Sequence, residues 1–418
     1  MYGMSDKSKS KLATTATCIL ALVLGCAVPV FGGKDKKKDA AAPVQEESVL
    51  KKLDYSKIVW PNPPAITRLK YVDFFAGEKI QTQIVQEKKK SEWMARLAGG
   101  DSEGNGKNGP KQRFALATPY GMAVDSKGLL YVADGKVGAI FIFNTETHDV
   151  DMIKNGVQAH FGLITGLTID DGDRLFVSDS QLHRVLVFGP DRKQEAVISE
   201  GLVDPGGMAV DNENRFLYVA DPALDQVLVY DADKFNLIRK MGTSGKNHAL
   251  TEPGQFARPT NVAVDSDSNL YVTDTSNRRV EIFDADGQFI TAWGKAGDGP
   301  GTFARPKGIA IDSDGHVWVA DAAQDRVQCF SKDGKVLLYL GGHGLLPGMF
   351  GNVAGLTIDK KNRVYTSDQN PGRVQMFQYI SNPEARAEWE RRQALEKGKT
   401  GATATASQAP ANSNNKPK

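Results

Sequence analysis

Most of the chemistry available to this chain lies in carboxylates and guanidinium groups, and both recur at regular spacing. Asp134, Asp179, Asp221, Asp274, Asp321 and Asp368 each close a β-branched or aromatic run such as "LYVAD" or "VWVAD". Nine residues earlier, or ten in the third case, stands another aspartate: Asp125, Asp170, Asp211, Asp265, Asp312 and Asp359. The stretches "DSDSN" from Asp265 and "DSDG" from Asp312 look like calcium loops, but such a loop needs a carboxylate at its twelfth position. Ser276 and Ala323 stand there instead, so these aspartates are expected to bond their own backbone two residues on, in hairpin turns. The later set recurs in every copy, which one catalytic site would not require. It reads as a structural repeat, each carboxylate accepting backbone N–H groups of the loop that follows.

Arg184, Arg279, Arg326 and Arg373 each precede a valine, while Ala139 and Gln226 take the equivalent places in the other copies. With Arg278 they are candidate binding residues, a partial ring of guanidinium groups for an acidic protein segment or a polyanionic glycan. The alternative is that their stems cover apolar surface and their heads pair with nearby aspartates.

The elements that position these groups form one repeat. A glycine, replaced once by Asn261, lies four residues before each of the earlier aspartates, and an aromatic (Phe143, Phe188, Tyr230, Phe283, Phe330, Phe377) ends each copy. Each unit reads as an inner strand, a turn, a second strand, a loop and a third strand, with a fourth in "QFITAWG" and "KVLLYLG". Copies of this length with up to four strands predict an all-β, six-bladed β-propeller of four-stranded antiparallel blades over residues 113–380, since ring closure removes the exposed edges. The sixth copy lacks a fourth strand, so "RLKYVDFF" within the segment 61–112 is expected to close the ring, followed by a flexible loop. A short helix is expected over 381–397 and a disordered tail over 398–418.

In such a ring the residues before the repeat glycines line the mouth of the central channel: Tyr120, Thr165, Gly206, Thr260, Lys307 and Ala354. None is a histidine or carboxylate. Tyr120, Lys307 and Asn261 are left as the alternative catalytic cluster, and an active lysine there would need a pKa lowered by burial. Six histidines without paired spacing, and no Cys-x-x-Cys-His, give no reason to expect a metal or other cofactor.

Lys+Arg 52 against Asp+Glu 50 provides no field for nucleic acid. Residues 1–25 read as a signal peptide, a lysine-bearing segment followed by an apolar run, and 26–60 as a flexible tether. "VLGC" resembles a bacterial lipobox; the resemblance implies Cys26 as the lipidation site and a membrane attachment through an N-terminal lipid anchor, the alternatives being an ordinary cleaved signal or an uncleaved anchor.

The pattern "P-x-G-x-A-x-D … Y-V-x-D-x-x-x-x-R-V-x-x-F" resembles the NHL repeat, and with the export signal it is similar to exported bacterial surface lipoproteins of that family. The resemblance implies a six-bladed propeller at the outer membrane or cell surface, otherwise periplasmic. The expected function is non-catalytic binding or scaffolding of a protein, peptide or glycan partner of the envelope through one face. The alternative is a metal-assisted lyase or lactonase working at the channel mouth.

Overall fold

The computed structural model describes residues 53–77, 115–156, 159–243 and 252–406. The expected signal peptide, Cys26, most of the tether, the loop over 97–112 and the last part of the tail lie outside these residues.

Six antiparallel sheets form a six-bladed propeller. Blade 1 holds strands Pro119–Val124, Leu129–Asp134, Ala139–Asn144 and Val150–Lys154. Blade 2 holds Ile164–Ile169, Leu175–Asp179, Arg184–Phe188 and Gln194–Ile198, and blade 3 holds Met208–Asp211, Phe216–Asp221, Gln226–Asp231 and Leu237–Met241. Blade 4 holds Pro259–Val264, Leu270–Asp274, Arg279–Phe283 and Phe289–Trp293; blade 5 holds Pro306–Ile311, Val317–Asp321, Arg326–Phe330 and Val336–Gly341. Blade 6 takes Val353–Ile358, Arg363–Asp368 and Arg373–Tyr379 from the end of the chain and Leu69–Phe75 from its beginning.

Sequence pattern explains the burial. The second strand of blades 2, 4 and 5 is buried at every position, because neighbouring blades cover both of its faces; this is why it reads as an unbroken apolar run rather than an alternation. The fourth strand lies outermost and is half open, leaving Ile290 and Leu337 exposed. The terminal aromatics Phe143, Phe188, Tyr230, Phe283, Phe330 and Phe377 all lie in the core.

Leu69 pairs with Tyr379 and Phe75 with Val374, so the two ends of the described chain are joined in one sheet. Two boundaries differ from expectation. The tether expected to end at residue 60 already forms a 3-10 turn at Tyr55–Lys57 and a fifth strand, Val59–Trp60, on the outside of blade 6. Tyr55 and Trp60 cause this, packing edge-on against Tyr71 and Phe377. The helix expected over 381–397 runs Asn382–Ala406, into the expected tail. It is tied to blade 6 by Lys70–Glu388 at 3.1 Å and by the buried Ala385, while Trp389 stays 39% exposed.

Candidate functional site at the channel mouth

The inner strands meet around a channel of about 240 Å³ whose lining is glycine and small or apolar side chains, with Asn261 and two threonines. The repeat glycines are needed where inner strands touch. A Cβ on Gly355 would lie 1.9 Å from the Tyr120 carbonyl of the next blade, and one on Gly166 would lie 2.3 Å from that of Gly206. At one position of the second strand, hydroxyls bridge every second seam near the channel. Ser178 Oγ donates to the Gly206 carbonyl at 2.6 Å, Thr273 Oγ1 to Lys307 at 2.8 Å and Ser367 Oγ to Tyr120 at 2.9 Å. In the intervening blades the same position is Ala133, Ala220 or Ala320.

These bridges fix the backbone of two mouth residues, and bulges aim their side chains. In blade 1 Pro119 pairs with Asp134 but Met122 with Val132; in blade 5 Pro306 pairs with Asp321 but Ile309 with Val319. Each shift inserts one extra residue at Tyr120–Gly121 or Lys307–Gly308, a device that turns a side chain out of the pleat. The Lys307 Nζ stands 5.3 Å from the centre of the Tyr120 ring, a cation–π contact spanning blade 6, which carries the small Ala354 at the equivalent position. Burial, and secondarily the charge of Arg305, pulls the Lys307 ammonium below its ordinary pKa. Burial pushes the Tyr120 phenol up to about 12, with Arg305 acting in the opposite direction. Arg305 is exposed and donates to Asn352 Oδ1 at 3.1 Å. Among the described residues neither Lys307 nor Arg305 forms an ion pair.

Asn261 does not join this pair. Its Oδ1 accepts the Val262 N–H at 2.9 Å and lies in the space that a Cβ on Gly207 would occupy. Of the three residues in the alternative catalytic cluster, the fold therefore brings Tyr120 and Lys307 together and leaves Asn261 as a seam-filling residue. Among the described residues the cavity between the inner strands is lined by no carboxylate or imidazole, whereas the pocket at their far ends, away from Tyr120 and Lys307, is lined by Asp125, Asp170, Asp171, Asp173 and Asp359.

The six later aspartates are fully buried and fasten loops. Asp321 accepts the N–H groups of Ala304 and Arg305 ahead of the inner strand, and those of Ala323 and Gln324 after the second strand. Asp134 does the same with Ala117, Thr118, Lys136 and Val137. Asp179, Asp221, Asp274 and Asp368 hold the corresponding connector N–H groups. The earlier aspartates close hairpins: Asp312 Oδ1 accepts from Asp314 and His316, at 3.0 and 2.9 Å.

The arginine heads turn inward rather than forming an open ring. Arg184 donates to the His160 carbonyl at 2.7 Å, Arg279 to Gln255 at 3.1 Å, Arg326 to Asp298 at 3.0 Å and Arg373 to Met349 at 2.7 Å. Arg279 and Arg373 also pair with Asp274 and Asp368. Four of the five candidate binding arginines are thus engaged with connectors in their own half of the ring; Arg278 alone is exposed.

One set of site-shaping residues is missing from the sequence reading. The third strands of blades 4, 5 and 6 carry Glu281, Gln328 and Gln375, fully buried, where the others carry Phe141, Leu186 and Leu228. Each accepts the N–H of a connector glycine 27 residues earlier, Gly254, Gly301 or Gly348, at 2.8–2.9 Å. The signal was present as "PGQF", "PGTF" and "PGMF" at constant distance from a polar residue in a buried strand. Glu281 also pairs with Arg279, and burial raises its pKa to about 7.

A protein family described as a 6-bladed beta-propeller (DUF5128) matches residues 255–327. Among curated proteins, peptidyl-glycine alpha-amidating monooxygenase B of Xenopus laevis is 28% identical over 151 residues, 33% of this chain and 17% of that protein's length. Solved structures with a similar fold include a protein of unknown function from Bacteroides thetaiotaomicron, at 16% identity and a TM-score of 0.51, covering 66% of this chain and 73% of that one. A gluconolactonase from Xanthomonas campestris has 17% identity and a TM-score of 0.50, covering 64% and 90%. At such identities the structural likeness shows the fold alone.

Proposed function

We propose that this propeller binds, without catalysis, an acidic segment of a protein, peptide or glycan partner at its channel mouth. The observation that carries the reading is the Lys307–Arg305 pair. Lys307 is half-buried, Arg305 of the same blade lies close enough to perturb it, the Tyr120 ring stands against it, and among the described residues no carboxylate pairs with either cation. An incoming carboxylate would relieve that repulsion and gain charge-assisted bonds. The NHL-like repeats and the lipobox-like "VLGC" ahead of the tether support a place at the bacterial envelope, held by a lipid at Cys26.

The lyase or lactonase reading has one observation in its favour, the lowered Lys307 pKa, which suits an amine acting as a base. Its metal-assisted form would have to draw its ligands from elsewhere than the cavity between the inner strands, whose described lining holds no carboxylate or imidazole.

Amine-directed crosslinking of the purified protein in an envelope fraction, followed by mass spectrometry, tests the binding reading. A discrete partner crosslinked through Lys307 and displaced by excess polyglutamate supports it. The absence of any such product, with crosslinks at exposed lysines recovered normally, refutes it.

A further inference from the structure

At the opposite end of blade 5, away from the mouth, four ligand-capable side chains converge on the seam with blade 6. We propose that Asp312, His316 and Cys329, with the Tyr379 phenol as a fourth donor, form a site for a single divalent transition-metal cation of zinc-like softness.

The ligand atoms of Asp312, His316 and Cys329 all lie within 4.8 Å of one another. His316 Nδ1 is 3.0 Å from Asp312 Oδ2 and 3.2 Å from the Tyr379 hydroxyl. Zinc holds nitrogen, oxygen and sulfur donors at about 2.0–2.3 Å, which in a tetrahedron separates the donors by roughly 3.3–3.8 Å. The spacings here, from 3.0 Å to at most 4.8 Å, bracket that range. A thiolate, an imidazole and a carboxylate together also suit zinc better than the all-oxygen sets of magnesium or calcium.

Comparison with the other blades separates this set from routine hairpin closure. The buried Asp170 and half-buried Asp359 each meet an arginine from the same hairpin, Arg174 or Arg363, and Asp265 meets Lys332. In blade 5 the hairpin position of Arg174 and Arg363 is His316. Cys329 stands where the others carry Ile142, Val187, Val229, Ile282 or Met376. Both departures fall on one corner, and each places a zinc-type ligand there. Tyr379 reaches the same corner from blade 6.

The outer contacts suit a ligand set. Asp312 Oδ1 is held by two backbone N–H groups and Oδ2 by Trp318 Nε1 at 2.9 Å, which orients the carboxylate. Tyr379 donates to Asp314 Oδ2 at 2.8 Å while its oxygen lies 3.2 Å from His316 Nδ1. Ser313 and Asp314 are exposed, giving an ion a route from solvent. On binding, the Cys329 S–H bond breaks, its proton passes to solvent and the sulfur lone pair forms the bond to the metal. His316 keeps its remaining proton on Nε2 and offers Nδ1.

The test uses the full chain equilibrated with zinc or cobalt(II), dialysed, and analysed by elemental mass spectrometry and absorption. The expected result is about one metal per chain, with a thiolate-to-cobalt charge-transfer band in the near ultraviolet, as Cys ligation requires. Cys329→Val, which installs the residue of blades 2 and 3, should abolish both. His316→Arg, which installs that of blades 2 and 6, should do so while supplying the aspartate with a cation, so it also serves if the valine variant fails to fold. No retained metal, no charge-transfer band, or equal retention by a folded variant would overturn the proposal.

Discussion

The Lys307 ammonium sits 5.3 Å from the centre of the Tyr120 ring although the two residues belong to blades 5 and 1, with blade 6 between them. The contact exists because Ala354 leaves the intervening position small and because the carbonyls of both residues are held by hydroxyls of the preceding blades. The mouth is therefore built by seams, and weakening a seam should disturb it.

Thr273→Val keeps the shape of the side chain but removes the hydroxyl between the Asn261 N–H and the Lys307 carbonyl. Leaving these groups unpaired should cost about 1–3 kcal/mol, read as a lower midpoint in urea with an unchanged slope. An unchanged midpoint would mean that the bridge contributes nothing to stability.

Ring closure depends on Leu69–Phe75, whose Tyr71 is buried against Phe377 at 5.3 Å. Tyr71→Ala should cost about 3–5 kcal/mol, the usual range for deleting a large buried aromatic. Because the strand joins the chain ends, limited proteolysis of this variant should cut first in blade 6. Cleavage spread evenly over the blades would argue against a closing role for this strand.

Glu281 provides a pH dependence. Burial raises its pKa to about 7 from 4.5. A carboxyl with a raised folded-state pKa contributes most below pH 4.5, and that contribution is lost as pH rises through about 7. Wild-type stability should therefore decline between these values by about 1–3 kcal/mol from this group. Glu281→Gln, which copies blades 5 and 6, should flatten the decline and keep the Gly254 contact. A variant with the same pH profile as the wild type would place the titration elsewhere.

Much of this architecture is legible in the sequence because each blade repeats one pattern under one physical demand, two covered faces and a tight hairpin. The glycine-to-aspartate spacing reports strand contact and turn closure, so six copies in register give the ring. The site is less legible. Pairings across seams, such as Lys307 with Tyr120 or His316 with Tyr379, join residues whose sequence separation no periodicity fixes. The third-strand arginines mislead because a guanidinium before a valine looks the same whether its head faces solvent or the connector carbonyl that it meets in the fold. The glutamine clamps were readable, but only by matching a buried polar position to a glycine 27 residues away.

The central claim is that the mouth formed by Lys307, Arg305 and Tyr120 takes an anionic segment. The most direct measurement is fluorescence anisotropy of labelled polyglutamate titrated with the full chain at two salt concentrations. Saturable binding is expected that weakens with salt and weakens at least about tenfold, roughly 1.4 kcal/mol, when Lys307→Met and Arg305→Gln are combined. Polyglutamate binding no tighter than that of polylysine, or binding unchanged in the double variant, would contradict it.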